Sequence, residues 1–178
     1  MNRGMVRRSS RGRLSRVARS RDKGAFLADA AAGGFTPSVS VRISFEPADS
    51  RVAELLDVPV DTELTVRTRV LEADGQAVQL ATSRLLRALT RGTAIEESDT
   101  GPGGIYSRVE EAGHRLAHFA EHVGCRMPTQ EEQQLPQLGP GQPVLTVTRV
   151  AHADIPVEVN DMVLAGDRYE LSYQWPAD

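Results

Sequence analysis

Cysteine is almost missing: Cys125 is the only one in 178 residues, so neither an intramolecular disulfide framework nor a cysteine-clustered zinc site can be built. No run of about 18 apolar residues occurs, which excludes a membrane-spanning helix. The start of the chain lacks the apolar stretch of a secretory signal, so a cytoplasmic protein is expected. Aromatic residues make up 4% of the chain, and a core must therefore come mainly from Val, Leu, Ile and Ala. Lys23 is the only lysine, all other basic residues being arginine. That bias reads as GC-rich coding and carries no functional weight. No Gly-x-Ser-x-Gly elbow, Walker sequence or paired-carboxylate arrangement is present. No catalytic residue, metal or cofactor is assigned, and the chain is not expected to be an enzyme.

The charge is unevenly spread. The whole chain carries a net −3, yet Met1 to Lys23 holds nine basic residues and one acid, a net +8, which leaves −11 on the other 155 residues. Residues 1–23 are Arg, Ser and Gly with few large apolar side chains, a composition that cannot offset ordering entropy by burial. They are expected to form a basic flexible arm or linker. The rest is long enough for one domain with a proper core.

From Gly24 the pattern becomes regular. Gly24 to Ala32 reads as a helix stopped by Gly33-Gly34. Ser38 to Phe45 alternates strictly, with Val39, Val41, Ile43 and Phe45 on one face, as in a half-buried strand. A short helix is expected over Ala48 to Leu56. Glu63 to Glu72 and Gln76 to Leu85 flank Asp74-Gly75, the strongest hairpin signal in the chain. A polar loop from Thr93 to Gly104 feeds a helix over Ile105 to Ala112. His114 to Met127 is extended in character, and Pro128-Thr129 with Glu131-Glu132 starts a short helix. Val144 to Ala151, Val157 to Leu164 and Tyr169 to Trp175 are further strands. About six strands, short helices and no βαβ rhythm point to an α+β domain on an antiparallel sheet.

Two features suggest chemistry and two do not. His114, His118 and His122 recur every four residues, but on a strand they span about 27 Å, too far for one ion, and read as solvent-facing. Cys125 beside a strand reads as small core filler. By contrast, Arg67 and Arg69 share one strand face, opposite Val66 and Val70, which marks the other face as the core. Two adjacent guanidinium groups suit a phosphate or carboxylate between them. On periodicity alone a solvated face paired with acids such as Glu72 or Glu158 accounts for them as well. Gly103-Gly104 leads into a helix start whose free N–H groups suit an anion, though glycines also simply turn a chain. Convergence of these features would make a pocket for a small anionic ligand.

The order of motifs from Gly24 to Asp178 resembles the UTRA effector-binding domain of GntR-type transcriptional regulators in the HutC branch. Arg51-Val-Ala-Glu-Leu-Leu56 with Val58-Pro59, Leu64 to Leu71 with Asp74-Gly75, and Gly101 to Gly113 carry the likeness. So do Gly141 to Arg149, Pro156 to Leu164 and Asp167-Arg-Tyr169. The resemblance implies a chorismate-lyase-like fold over residues 24–178, with a central antiparallel sheet of about six strands and short flanking helices. It implies a small-molecule effector, anionic in character, and a homodimer. The ligand-bearing positions it implies are Arg67, Arg69, Gln79, Thr82, Ser83, Gly104, Ile105, Tyr106 and Glu158, with Phe26 and Leu27 near the cavity. Sugar-phosphate-binding members often carry an acid at Gln79, a Ser at Gly104 and a Tyr at Leu164, so these replacements leave the effector open. Such regulators carry a winged helix-turn-helix ahead of this domain, and residues 1–23 look like the linker that would follow it. DNA contact is then expected only through that module or weakly through residues 1–23. The alternatives are a chorismate-lyase-like enzyme, or a stand-alone ligand-binding protein whose basic arm binds DNA non-specifically.

Overall fold

Alternation of apolar and polar residues does produce strands where it is strictest. In the computed structural model, which describes residues 5–9, 25–134 and 141–174, the first strand is β1 (Val6–Ser9) and the first helix α1 (Ala25–Gly33). Then come β2 (Pro37–Pro47), α2 (Ser50–Leu56), β3 (Glu63–Ala73), β4 (Gln76–Leu86) and α3 (Arg87–Thr90). The chain continues through α4 (Gly104–Glu111), β5 (His118–Arg126), β6 (Val144–His152), β7 (Pro156–Ala165) and β8 (Tyr169–Ser172). Six strands form one antiparallel sheet in the order β2-β3-β4-β7-β6-β5, the α+β architecture expected.

The β3–β4 turn is closed by Asp74 and Gly75, both at positive φ (52° and 74°), as a two-residue hairpin requires. At α2, Asp49 caps the helix by accepting from the Val52 N–H at 2.7 Å, and Asp57 ends it in the left-handed region. Val52, Ala53 and Leu56 then pack with Ala48 onto Leu64, Val66, Val150 and Val159, covering the outer face of the sheet.

The inner face is covered by two separate apolar patches. Tyr106 and Val109 of α4 lie against Leu85, Ala151 and Val157, with Ile95 and Leu116 completing the patch. Phe26 of α1, Val6 of β1 and Tyr169 of β8 lie with Leu71, Ala81, Val147, Met162 and Leu164. Buried polar residues fill the ground between. The core is thus two-sided: the face opposite Val66 is not solvated, because α4 and the β1–β8 ribbon close over it.

Three expectations are corrected. Val6–Ser9 is not a free arm but pairs in parallel with Tyr169–Ser172, burying Val6 and Arg8 while Arg7 reaches Glu170. Residues 1–4 and 10–24 lie outside the described residues. No residue of β2 is fully buried, and Val39 and Phe45 stay exposed, because an edge strand has one neighbour only. The Thr129 and Glu132 pair forms reciprocal caps (Glu132 N–H to Thr129 Oγ1, Thr129 N–H to Glu132 Oε2) ahead of a 3-10 turn, Glu132–Gln134, and the remainder of the helix expected there lies outside the described residues. Cys125 is exposed on edge strand β5 and fills no core.

Candidate functional site

Strand register builds the site. On the inner face Arg67 of β3 stands opposite Ser83 of β4, which stands opposite Asn160 of β7. Asn160 faces Arg149 of β6, and Arg149 faces Glu121 of β5. One polar row therefore crosses five strands, each step about 4.8 Å. The adjacent row holds Thr65, Leu85, Glu158 and Ala151, and the row on the other side holds Arg69, Ala81, Met162 and Val147.

The two strand arginines, alike in sequence, have different surroundings. Arg67, 3% exposed, donates to the Ile95 carbonyl at 2.5 Å, to the Glu97 carbonyl and to the Ser98 carbonyl at 3.2 Å. It gathers the loop that leads to α4. Burial, and then the neighbouring Arg69 charge, lower its pKa to about 10. Arg69, only partly buried, donates to Ser83 Oγ and to Asn160 Oδ1 at 3.4 Å, both neutral. Among the described residues neither arginine is ion-paired with a carboxylate, and each keeps a buried Nε without an acceptor. Glu158 favours both charges through space but makes no ion pair with either arginine, and no ion pair with Glu72 occurs among the described residues.

Glu158 is 0% exposed. Its Oε2 accepts from the Tyr106 hydroxyl at 2.5 Å, and its Oε1 has no hydrogen-bond partner. Burial and the Glu158 charge push the Tyr106 phenol well above its ordinary range, so it stays a donor. Tyr106 is delivered by the Gly103-Gly104 turn. Both glycines have positive φ (79° and 71°), a conformation that side-chain-bearing residues rarely adopt, and no side chain caps the helix start that follows.

Gln79 lies on the inner face too, its Oε1 accepting from the Tyr169 hydroxyl at 3.0 Å. Phe26 is buried in the apolar patch beside it, and Ile105 packs partly buried near Tyr106. Thr82 and Leu27 do not join them. Thr82 alternates to the outer face, opposite Thr68 and Asp161, in a groove lined by Glu131, Glu132 and Asp161, of which the last two are paired with arginines. Leu27 is 45% exposed, on the side of α1 away from Phe26's apolar patch. The histidines form no metal centre: His118 stacks on His152 at 4.3 Å, His114 sits 3.1 Å from Asp154, and no metal-binding cluster occurs among the described residues.

Four site residues were not anticipated. Asn160 follows Glu158 by two positions on an alternating strand, and Arg149 sits between Val147 and Ala151 in the same way, so face sharing was available as a signal. Glu121 and Arg8 had none. Glu121 Oε1 accepts from Arg149 Nε at 2.8 Å and from Arg8 Nη2 at 2.5 Å, and its Oε2 from the Tyr173 hydroxyl at 2.7 Å. Burial pushes the Glu121 carboxyl up, but Arg149 and Arg8 outweigh it and hold it below the usual range. The inner face thus carries Arg8, Arg67, Arg69 and Arg149 against Glu121 and Glu158, with Asp29 of α1 adding negative charge on the Arg8 side. The surplus positive charge lies at Arg67 and Arg69.

Residues 33–170 match the UTRA domain family. An HTH-type transcriptional regulator of Streptomyces coelicolor is 31% identical over 163 residues, 86% of this chain and 60% of that protein. The crystal structure of a GntR-family transcriptional regulator superposes with a TM-score of 0.77 at 27% identity, covering 86% of this chain and 64% of the other. PhnF from Mycobacterium smegmatis superposes with a TM-score of 0.80 at 22% identity, covering 98% and 73%, a likeness of fold. The chain therefore spans less than two thirds of the first two proteins.

Proposed function

The chain belongs to the UTRA domain family, and on that premise we propose that it is the effector-binding domain of a GntR/HutC-type transcriptional regulator. It acts by binding a small anionic metabolite on the inner sheet face, without catalysing a reaction, and its homodimer carries the response to DNA-binding modules. The observation that carries the anionic preference is the Arg67–Arg69 pair, close together, partly or wholly buried and without a carboxylate partner among the described residues. A buried uncompensated cation is costly, and a ligand anion removes that cost. The uncapped start of α4 favours the same charge. Glu158 Oε1, buried and without a donor, asks the ligand for a hydroxyl or amino group at its other end. The class that satisfies both is a hydroxylated or amino-bearing phosphate or carboxylate. Regulation then needs only that this ligand bind two arrangements of the dimer with different affinity.

The test is calorimetry of the purified chain against phosphosugars, hydroxycarboxylates and amino acids. A saturable heat with one class, lost in Arg69→Ala, supports the reading. Equal affinity in Arg69→Ala removes the site assignment. Sedimentation of the same preparation checks the dimer.

A further inference from the structure

Among the described residues, Arg8 is a cation of the inner face that comes from outside the six-stranded sheet. It reaches in from β1, whose backbone hydrogen bonds among the described residues go to β8 and, from the Val6 N–H, to the Arg168 carbonyl at 2.7 Å. Its side chain, 2% exposed, ends on the same Glu121 oxygen that Arg149 uses. Arg149 Nε donates to that oxygen, while its Nη2 lies 2.6 Å away without the alignment of a hydrogen bond and has no other acceptor. Two buried guanidinium groups therefore compete for one carboxylate oxygen and repel each other. Arg149 stands opposite Asn160, the residue that Arg69 also reaches.

We infer that Arg8 of β1 belongs to the anion-binding face, and that an anion bound there and the docking of β1 onto the domain stabilise one another through the Glu121 oxygen shared by Arg8 and Arg149. An anion beside Arg69 and Arg149 takes over part of Arg149's demand for negative charge. Glu121 is then freer to hold Arg8, and the repulsion between the two guanidinium groups is screened. Linkage makes the effect reciprocal: the factor by which the anion favours docked β1 equals the factor by which docked β1 favours the anion, on the order of 10 for a typical coupling. A segment attached to β1 would receive the signal as a change in where its attachment is held. This inference rests on the anion-binding reading above and adds the element that transmits it.

The experiment uses the full chain with inorganic phosphate as probe, calorimetry for affinity and amide hydrogen exchange for residues 6–9. Phosphate is expected to slow exchange in β1 roughly tenfold. Arg8→Met is expected to weaken phosphate about tenfold and to abolish the phosphate dependence of β1 exchange, with Arg8→Lys recovering part of both. Glu121→Gln removes the shared charge and is expected to abolish the phosphate dependence of β1 exchange; a dependence that persists undiminished in this variant overturns the inference. Phosphate binding with unchanged β1 exchange overturns the coupling and leaves the anion site standing. Absence of phosphate binding by the wild-type chain overturns both.

Discussion

Arg67 and Arg69 are two residues apart on one strand face, yet removing them should have opposite consequences. Arg67→Ala deletes three hydrogen bonds from a cation to the Ile95, Glu97 and Ser98 carbonyls. Bonds to charged groups contribute about 1.5–3 kcal/mol each. Glu97 and Ser98 are exposed and their carbonyls regain water, whereas Ile95 is buried and its carbonyl is left bare. Part of the loss is offset because a buried cation disappears. A net destabilisation of about 2–3 kcal/mol follows, which for a chain of this size lowers Tm by about 5–10 °C. Arg69→Met deletes contacts to two neutral acceptors and relieves the repulsion on Arg67, so its Tm should stay within about 3 °C of wild type, in either direction. Anion affinity should reverse the order of severity: Arg69→Met abolishes it outright, while Arg67→Ala weakens it through the loosened loop before α4. Thermal denaturation followed by circular dichroism, with calorimetric titration on the same samples, reads both quantities. If Arg67→Ala melts with the wild type, or Arg69→Met falls as far as Arg67→Ala is expected to, the division between a loop-holding and a ligand-holding arginine is wrong.

Further expectations concern groups elsewhere in the fold. Tyr106→Phe leaves both oxygens of buried Glu158 without a donor and should cost about 1–3 kcal/mol; a double-mutant cycle with Glu158→Gln should recover part of it. Burial pushes Asp161 up, but Arg51, Thr148 and Arg84 together hold it below the ordinary range. Its stabilising contribution is therefore present above the unfolded pKa near 3.9 and is lost as pH falls through the lower folded value. Asp161→Asn should flatten the decline in urea stability below about pH 4, and an unchanged pH profile would refute that assignment. A Cβ at Gly166 would sit 2.4 Å from the Pro143 carbonyl oxygen, so Gly166→Ala should lose about 1–3 kcal/mol in urea denaturation.

Much of this was readable before any tertiary contact was known. Period-two alternation placed the strands, Asp74-Gly75 closed the hairpin, and Arg67 and Arg69 fell on one face because alternation permits nothing else. The same rule, applied strictly, would have separated Thr82 from Ser83 and joined Asn160 to Glu158. What alternation cannot reveal is how a face is covered. Val66 and Val70 marked one side as the core, and alternation alone left the opposite side either a solvated face or a pocket. In fact α4 and the β1–β8 ribbon close over it, so the arginines are enclosed rather than solvated. Cys125, Val39 and Phe45 erred the other way: apolar or small residues on edge strands remain exposed for want of a neighbour.

The sequence by itself determined which residues share a face, where the chain turns, and that positive charge gathers at the start while the body is acidic. Local backbone sterics and the two-residue repeat of a strand settle these matters, and both are written in neighbouring positions. Only the tertiary structure decided that Arg67, Ser83, Asn160, Arg149 and Glu121 form one row, since register between paired residues up to 77 positions apart, Ser83 and Asn160, leaves no local trace. It also decided which arginine keeps its charge for a ligand. Ile95, Glu97 and Ser98 satisfy Arg67 because a loop folds back onto it, whereas Arg69, among the described residues, donates to the neutral Ser83 and Asn160 side chains. Finally, it took Arg8 out of the basic stretch and set it beside Glu121, because a four-residue strand finds its hydrogen-bonding partner at the far end of the chain.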